Sequence, residues 1–507
     1  MDVIFWNSLS FIWDVPSRYI GPYKISHWIE KFGYSSQVID FVKYLTEDQL
    51  YTATKKFITP ETKVIGVSTT FLAAQKNTWS DGSISFFPEH LIKVVRKLKT
   101  EFPKIKFILG GYGSEFIYGY GLWDATIMSY NESSEDIFLE YLRYLKGETN
   151  EPIFKLITNY YLTNATKIRK HYYTAKEKIY NIEIDDFRFK KSHAILSGEA
   201  LPLDISRGCI FACRFCNYPH LGKHKKDYIR GMEFVKEEII YNYENFGTTN
   251  YMILDDTFNE SIEKMQEFHN MTCNLPFKIN YSAYLRADLI QRFPETAYLL
   301  KESGLWGAYH GLESLHPYAS NLIGKGWSGK HAKEYIPNLF HNIWEGKIPQ
   351  HLNFIMGFPK ETFEDIMNTV KWVEENKLYS INIEQLSLGD PEKTHRHSIK
   401  SEFEKNSVKY GFKFVDVPEN HDKLLAWKNE TWDATNYSFS DTWNTINRYI
   451  DEHKLRKSSI WNLGNLQLLG YDKSYLLKTS VNDYNFSELK TNVRNVYQQY
   501  YDLLINL

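Results

Sequence analysis

Cys209, Cys213 and Cys216 place three of the chain's four cysteines within eight residues, in the stretch SRGCIFACRFCNYP. A closed zinc site or a complete iron–sulfur site takes four protein ligands. The fourth thiol, Cys273, lies far along the chain. Three thiolates at this spacing suit a cubane cluster in which three irons are held and one stays open to a small molecule that brings its own ligands. Two other readings remain: three buried thiols, or a zinc ion completed by His220 or His224. Zinc motifs pair their ligands at other spacings, which favours the cluster.

The elements that must position this loop fall into distinct stretches. Residues 1–145 alternate short apolar runs with amphipathic segments, the pattern of a Rossmann-like doubly wound parallel sheet. Strands are expected at Val3–Trp6, Gln37–Val42, Lys63–Thr69, Lys106–Leu109 and Ala125–Met128. Small residues (Ser68, Thr69, Gly110, Gly111) crowd the carboxyl edge, where open α/β sheets bind ligands. Residues 146–194, basic and rich in tyrosine, read as a linker. From about residue 195 to 390 the alternation restarts with six strand-helix units, fewer than the eight of a full barrel, so a partial, TIM-like (β/α)6 barrel is expected. Gly247, Gly304 and Gly346 end three of its helices. Residues 391–507 form a mainly helical, aromatic-rich segment expected to close the barrel and shape a substrate pocket.

Catalytic groups of parallel barrels gather at the carboxyl ends of the strands. The cysteine loop follows the first barrel strand, Asp255 and Asp256 end the second, Arg286 the third, Glu313 and Ser314 the fourth, and the turn from Gly357 through Pro359 to Thr362 the fifth. Tyr281, Tyr284, Tyr309 and His310 lie on strands near the expected pocket.

This combination resembles the radical S-adenosylmethionine (SAM) superfamily. Ser206-Arg207-Gly208 ahead of the first cysteine resembles the branch with an N-terminal cobalamin-binding domain, and the likeness runs from the first strand to the sixth barrel strand. It implies a [4Fe–4S] cluster on Cys209, Cys213 and Cys216, which are then both metal ligands and catalytic residues. SAM would chelate the open iron and be cleaved to a 5′-deoxyadenosyl radical. It further implies Phe215 beside the adenine, Asp255 and Asp256 on the methionine ammonium, Arg286 on the methionine carboxylate, Glu313 on the ribose, and Gly357 and Pro359 in the turn beside the adenine, where Lys360 replaces an expected glycine. Ser68, Thr69, Gly110 and Gly111 would meet the nucleotide tail of cobalamin. Two departures stand out. No Asp-x-His-x-x-Gly sequence is present to supply a histidine to cobalt, and the branch's glycine-glutamate turn is replaced by Ser129-Tyr130-Asn131-Glu132.

The activity implied is cobalamin-dependent methylation of an unactivated carbon. The alternatives are a cobalt-free radical rearrangement, epimerisation or cyclisation, and a non-catalytic iron–sulfur regulator. A second-cluster methylthiotransferase is disfavoured, because the first domain contains no cysteine. The resemblance also implies a reductant such as flavodoxin or ferredoxin. A formal net charge of −2 argues against an extended nucleic-acid surface. No run approaches the ~18 apolar residues of a membrane span. Clustered thiols suit a reducing cytoplasm.

Overall fold

The computed structural model describes residues 1–8, 15–69, 88–111, 122–127, 134–150, 170–172, 185–216, 228–389, 400–416, 424–456, 463–471 and 485–507. Two parallel sheets carry the architecture. The first contains β1 (Val3–Trp6), β2 (Ser36–Ile39), β3 (Val64–Ser68), β4 (Lys106–Gly110), β5 (Ala125–Ile127) and β6 (Lys170–Tyr172), in the order β2-β1-β3-β4-β5-β6. All its pairings are parallel. The order reverses between β1 and β3, so their carboxyl ends flank a crevice of the kind that binds ligands in open α/β sheets. β6 lies inside the expected linker, which therefore adds a strand to this sheet as well as crossing to the next.

The second sheet contains β7 (Leu201–Leu203), β8 (Asn250–Ile253), β9 (Asn280–Leu285), β10 (Leu305–Glu313), β11 (Gln350–Met356) and β12 (Ser380–Gln385), in strict sequence order and parallel throughout. That is the six-unit barrel the repeat predicts. Each strand faces two ways. Leu352, Phe354 and Met356 of β11 and Ile381 and Ile383 of β12 pack with Ile366 and Val370 of the helix Phe363–Glu375. The alternate residues His351, Asn353, Ile355, Asn382 and Glu384 are only partly covered and face the concave side. Tyr284 and Tyr309 share that side. Tyr281 and His310 do not: Tyr281 packs on Phe258 and Phe268, and His310 stacks on Trp344, both behind the sheet.

The C-terminal segment divides its contacts. Its helix Tyr437–Glu452 packs on β12 and on the helix Phe363–Glu375, and the short hairpin β13 (Lys413–Phe414) and β14 (Trp427–Lys428) seats the fully buried Trp427 against the fifth barrel turn. The last helix, Phe486–Asn506, instead packs on Glu47–Phe57 of the first domain. There Tyr44 and Tyr497 stack with centroids 4.3 Å apart, and the Asp40 amide donates to the Tyr500 hydroxyl at 2.7 Å. The helix Leu463–Leu468 in the second half meets the other edge of the barrel, where Asn465 Oδ1 accepts from the Ala200 amide and Asn250 of β8 donates to Gln467 Oε1, each at 3.2 Å.

A buried guanidinium joins the two sheets. Arg18, on the loop after β1, donates to Glu199 Oε1 and Oε2 at 2.6 and 2.9 Å, and to the carbonyls of His193 and Ala194. A bidentate, fully hydrogen-bonded pair is the form in which a buried charge is tolerated. No helix among the described residues is long and apolar enough to cross a membrane.

Candidate functional site

The cysteine loop is closed at its neck. Ser206 and Ile229 form an antiparallel bridge, the Arg207 amide donates to Tyr228 O, and the Arg230 amide to Ile205 O. Gly208, at φ 75°, takes the left-handed turn into Cys209 that an L side chain disfavours. Below the neck, Asp255 is buried at the end of β8. Its Oδ1 accepts from the amides of Ile205 and Ser206 at 2.8 and 2.9 Å, and its Oδ2 from Ser206 Oγ at 2.9 Å and Lys264 Nζ at 2.5 Å. Both Asp255 and Lys264 side chains are fully buried. Asp255 therefore anchors the loop. Both oxygens are occupied by protein donors where the expectation places a methionine ammonium. Asp256, next in sequence, is partly exposed, and its charge acts on Cys209.

The three thiols are partly exposed and none is in a disulfide. Cys209 Sγ lies 3.3 Å from Thr257 Oγ1. Burial pushes its thiol up, against the opposing pull of Thr257 and the Phe211 amide. Cys213 Sγ lies 3.9 Å from Arg286 Nη1. Among the described residues no three His, Cys, Asp or Glu side chains are close enough to hold a single metal ion. A cubane asks for something different, one thiolate on each of three separate irons. Three partly exposed thiols, none in a disulfide, on one clamped loop fit that donor set. His220 and His224, the candidates to complete a zinc site, lie outside the described residues.

Arg286 is likewise engaged by partners within the protein. Its guanidinium is held by Asp288, with Nε and Nη2 donating to the two carboxylate oxygens at 3.0 and 2.7 Å. Nη2 reaches Lys325 O at 2.9 Å, and the plane lies 3.9 Å from the Phe211 ring centroid. The fork that would grip a methionine carboxylate is already filled, so Arg286 supports the loop at Phe211 and Cys213. Lys325 continues the chain, its Nζ bonding Glu313 Oε1 at 2.6 Å and Gly311 O at 2.5 Å. Glu313 sits at φ 65° beside a register shift in β10, a conformation uncommon for a non-glycine residue. Its carboxylate lies over Gly311, where a Cβ would come within 2.5 Å of Oε1.

The fifth turn is likewise supported from outside. Gly357 has φ 127°, and a Cβ there would lie 2.8 Å from Trp427 Cη2. Its carbonyl accepts from Asn429 Nδ2 at 2.9 Å, and the Lys360 amide donates to Thr431 at 2.7 Å. The face of Gly357 that a side chain would use is filled by Trp427, and Pro359 is buried; both are placed as packing positions against the C-terminal hairpin. Phe215 is half-buried, packed on the barrel core. Sequence reasoning missed Glu361: it is buried, hydrogen-bonded to Ser314 with its second oxygen unpartnered, and burial pushes its carboxyl up to about 8.

At the first sheet, Ser68 pairs with Gly110 in register. Thr69 is buried, its amide and hydroxyl donating to Gly110 O at 2.8 and 2.9 Å, so its side chain braces the edge. Gly111 has φ 93°, and a Cβ on Gly110 would meet only Ile127 O, at 3.6 Å. The loops that continue from β1, β3, β4 and β5, including Ser129 to Glu132, lie outside the described residues. Arg207, two residues before Cys209, donates to Glu135 Oε1 at 3.0 Å and so ties the cysteine loop to the helix Ser134–Leu145 of the first domain.

Comparison with known proteins follows the same outline. The chain is 28% identical over 189 residues to an uncharacterized methyltransferase of Pyrococcus horikoshii, covering 37% of this chain and 38% of that one. It is 23% identical over 189 residues to bacteriochlorophyllide d C-8(2)-methyltransferase of Chlorobaculum tepidum, covering 36% and 40%. The chain thus spans about two fifths of the length of the curated relatives it matches. The fold of the radical SAM methyltransferase TsrM from Kitasatospora setae matches 98% of this chain and 99% of that one, with TM-score 0.62 and 14% identity; a structure of TsrM holds cobalamin and a [4Fe–4S] cluster. OxsB, a cobalamin-dependent SAM radical enzyme solved with aqua-cobalamin and SAM, matches with TM-score 0.58 and 13% identity over 99% and 80%. Residues 203–373, which run from the last residue of β7 through the cysteine loop and β8 to β11 into the helix after the fifth turn, match the Radical SAM superfamily, and the chain therefore carries a radical SAM domain.

Proposed function

We propose that the chain is a cobalamin-dependent radical SAM enzyme that methylates an unactivated carbon of its substrate. The observation that carries this reading is the likeness of nearly the whole chain, sheet and barrel in the same order, to a radical SAM methyltransferase. When bound, the cluster supplies the electron that cleaves SAM, and cobalamin supplies the methyl group. The rest is the chain's own work. Cys209, Cys213 and Cys216 hold the irons; the Asp255–Lys264 pair and Arg286 fix the loop that carries them. Asp256 is assigned to the methionine ammonium, Glu313 to the ribose and Phe215 to the adenine. Ser68, Thr69, Gly110 and Gly111 give cobalamin a small-residue edge. Arg207 and Glu135 hold the two domains in register across the space where both cofactors and substrate meet. The concave face of β9–β12 receives the substrate.

The test is anaerobic reconstitution with iron, sulfide and hydroxocobalamin, followed by metal analysis and by 5′-deoxyadenosine formation on reduction with SAM. Stoichiometric corrinoid together with deoxyadenosine is expected. A cluster and deoxyadenosine with no bound corrinoid would sink the methylation reading in favour of a cobalt-free radical reaction. Absence of both cluster and deoxyadenosine would sink the enzyme reading itself.

A further inference from the structure

The barrel's concave face has a composition that selects its occupant. Its inward positions on β9 to β12 are Asn280, Ser282 and Tyr284; Gly307, Tyr309 and Gly311; His351, Asn353 and Ile355; and Ser380, Asn382 and Glu384, with no lysine or arginine among them. Two features are built. The first is an aromatic column: Tyr284 meets Tyr309 edge-on at 4.6 Å between centroids, and Tyr309 stacks on His351 at 4.8 Å and 21°. The second is a polar row, in which Asn382 Nδ2 donates to both Asn353 Oδ1 at 3.0 Å and Glu384 Oε1 at 2.6 Å. Between them His351 Nδ1 is buried with no hydrogen-bond partner. A buried polar atom without a partner is costly unless a ligand or water satisfies it.

Two cations among the described residues near this face are held by partners. Lys325 is held by Glu313 and Gly311 O, and Arg456 by Asp451 Oδ1 at 2.8 Å and Asn447 Oδ1 at 2.5 Å. Three titratable groups of the column and row, His351, Glu384 and Tyr309, are pushed towards their uncharged forms. Burial holds His351 down at about 3, with Arg456 adding to it, and raises Glu384 and Tyr309.

Resting on the proposed function, we infer that this face is the recognition site for an uncharged, planar, hydrogen-bonding substrate group, an aromatic amide or ring N–H stacked beside Tyr309 and bonded to His351 Nδ1 and the Asn353–Asn382–Glu384 row. Phosphorylated substrates and nucleic-acid backbones are rejected, because an anion on this face would meet no lysine or arginine among its inward positions and would lose its hydration there.

Ligand-observed NMR with benzamide and phenyl phosphate as matched probes tests this on the reconstituted protein. Benzamide is expected to bind and phenyl phosphate not. His351→Leu should weaken benzamide by about two- to tenfold, the worth of one hydrogen bond, whereas His351→Asn, which keeps a polar nitrogen or oxygen near the Nδ1 position, should retain it. Equal binding of phenyl phosphate, or benzamide binding unchanged in His351→Leu, overturns the inference. Probe binding is read without turnover and without cobalt, so failure of corrinoid loading leaves this outcome standing, and failure here leaves the radical chemistry standing.

Discussion

Replacing Lys264 by methionine isolates the contribution of the anchor beneath the cysteine loop. The substitution keeps the apolar stem and removes the ammonium that lies 2.5 Å from Asp255 Oδ2, between two fully buried side chains. Asp255 retains the Ile205 and Ser206 amides and the Ser206 hydroxyl as donors, yet its charge loses the countercharge that makes burial tolerable. Removing one partner of a buried ion pair costs about 3–5 kcal/mol. The three surviving donors place the variant at the lower end, about 3 kcal/mol. For a cooperative unit of barrel size, at about 2–4 °C per kcal/mol, the midpoint should fall by about 6–12 °C. The double variant Asp255→Asn/Lys264→Met removes both charges and leaves an amide oxygen to accept from the two backbone N–H groups. It should be more stable than the sum of the single changes by about 1.5 kcal/mol or more. Scanning calorimetry of cluster-free protein reads both quantities. A Lys264→Met midpoint within about 1 °C of wild type, or strict additivity in the double variant, would refute the assignment of this pair as the anchor.

Two further predictions follow from local geometry. Glu361 is almost wholly buried with a carboxyl raised to about 8, so the folded state holds a proton that the unfolded chain releases near pH 4.3. Stability should therefore be greatest below that unfolded value and decline as pH rises towards 8, by as much as about 1.4 kcal/mol per pH unit; Glu361→Gln should flatten the slope between pH 5 and 8, and melts showing the same slope in both proteins would count against it. Gly357→Ala forces a Cβ to within 2.8 Å of Trp427 at φ 127°, combining backbone strain with overpacking for a loss of about 2–5 kcal/mol; a thermal midpoint matching wild type would mean that Trp427 does not brace this turn.

How much of this was legible in the sequence depended on the range of the interaction concerned. Strand periodicity and the residues flanking each turn are local, so Val3–Trp6 and the six barrel strands could be read directly, as could the left-handed glycines at 247, 304 and 346. The three-residue β6 carries too little pattern to stand out within a basic, tyrosine-rich stretch. Side-chain partners were hidden where they came from elsewhere in the chain. Asp255 and Arg286 have the chemistry to hold SAM, but Lys264 and the neck of the cysteine loop occupy the first, and Asp288 with Lys325 O the second. Gly357 looked like a turn left open for a nucleotide, whereas Trp427, about seventy residues later, fills the space. The same distance hid the tie between Asp40 and Tyr500, whose contact depends on the last helix returning to the first domain.

These side chains still lead back to the cysteines. Asp255, Arg286 and Arg207 act on the loop from three directions: β8 beneath it, β9 beside Cys213, and the first domain ahead of Cys209. A loop that is to present three thiolates to one cluster must hold them in place before the cluster arrives, since a mobile loop would pay the ordering entropy on binding. Asp255 and Arg286, at barrel strand ends where cofactor contacts are expected, contact the cysteine loop itself. The SAM contacts proposed above are then those of Asp256, of Glu313, whose carboxylate also pairs with Lys325, and of Phe215. That division makes a distinct demand on experiment: substitution at Asp255 should lower cluster content along with stability, whereas substitution at Asp256 should leave both in place and weaken SAM alone.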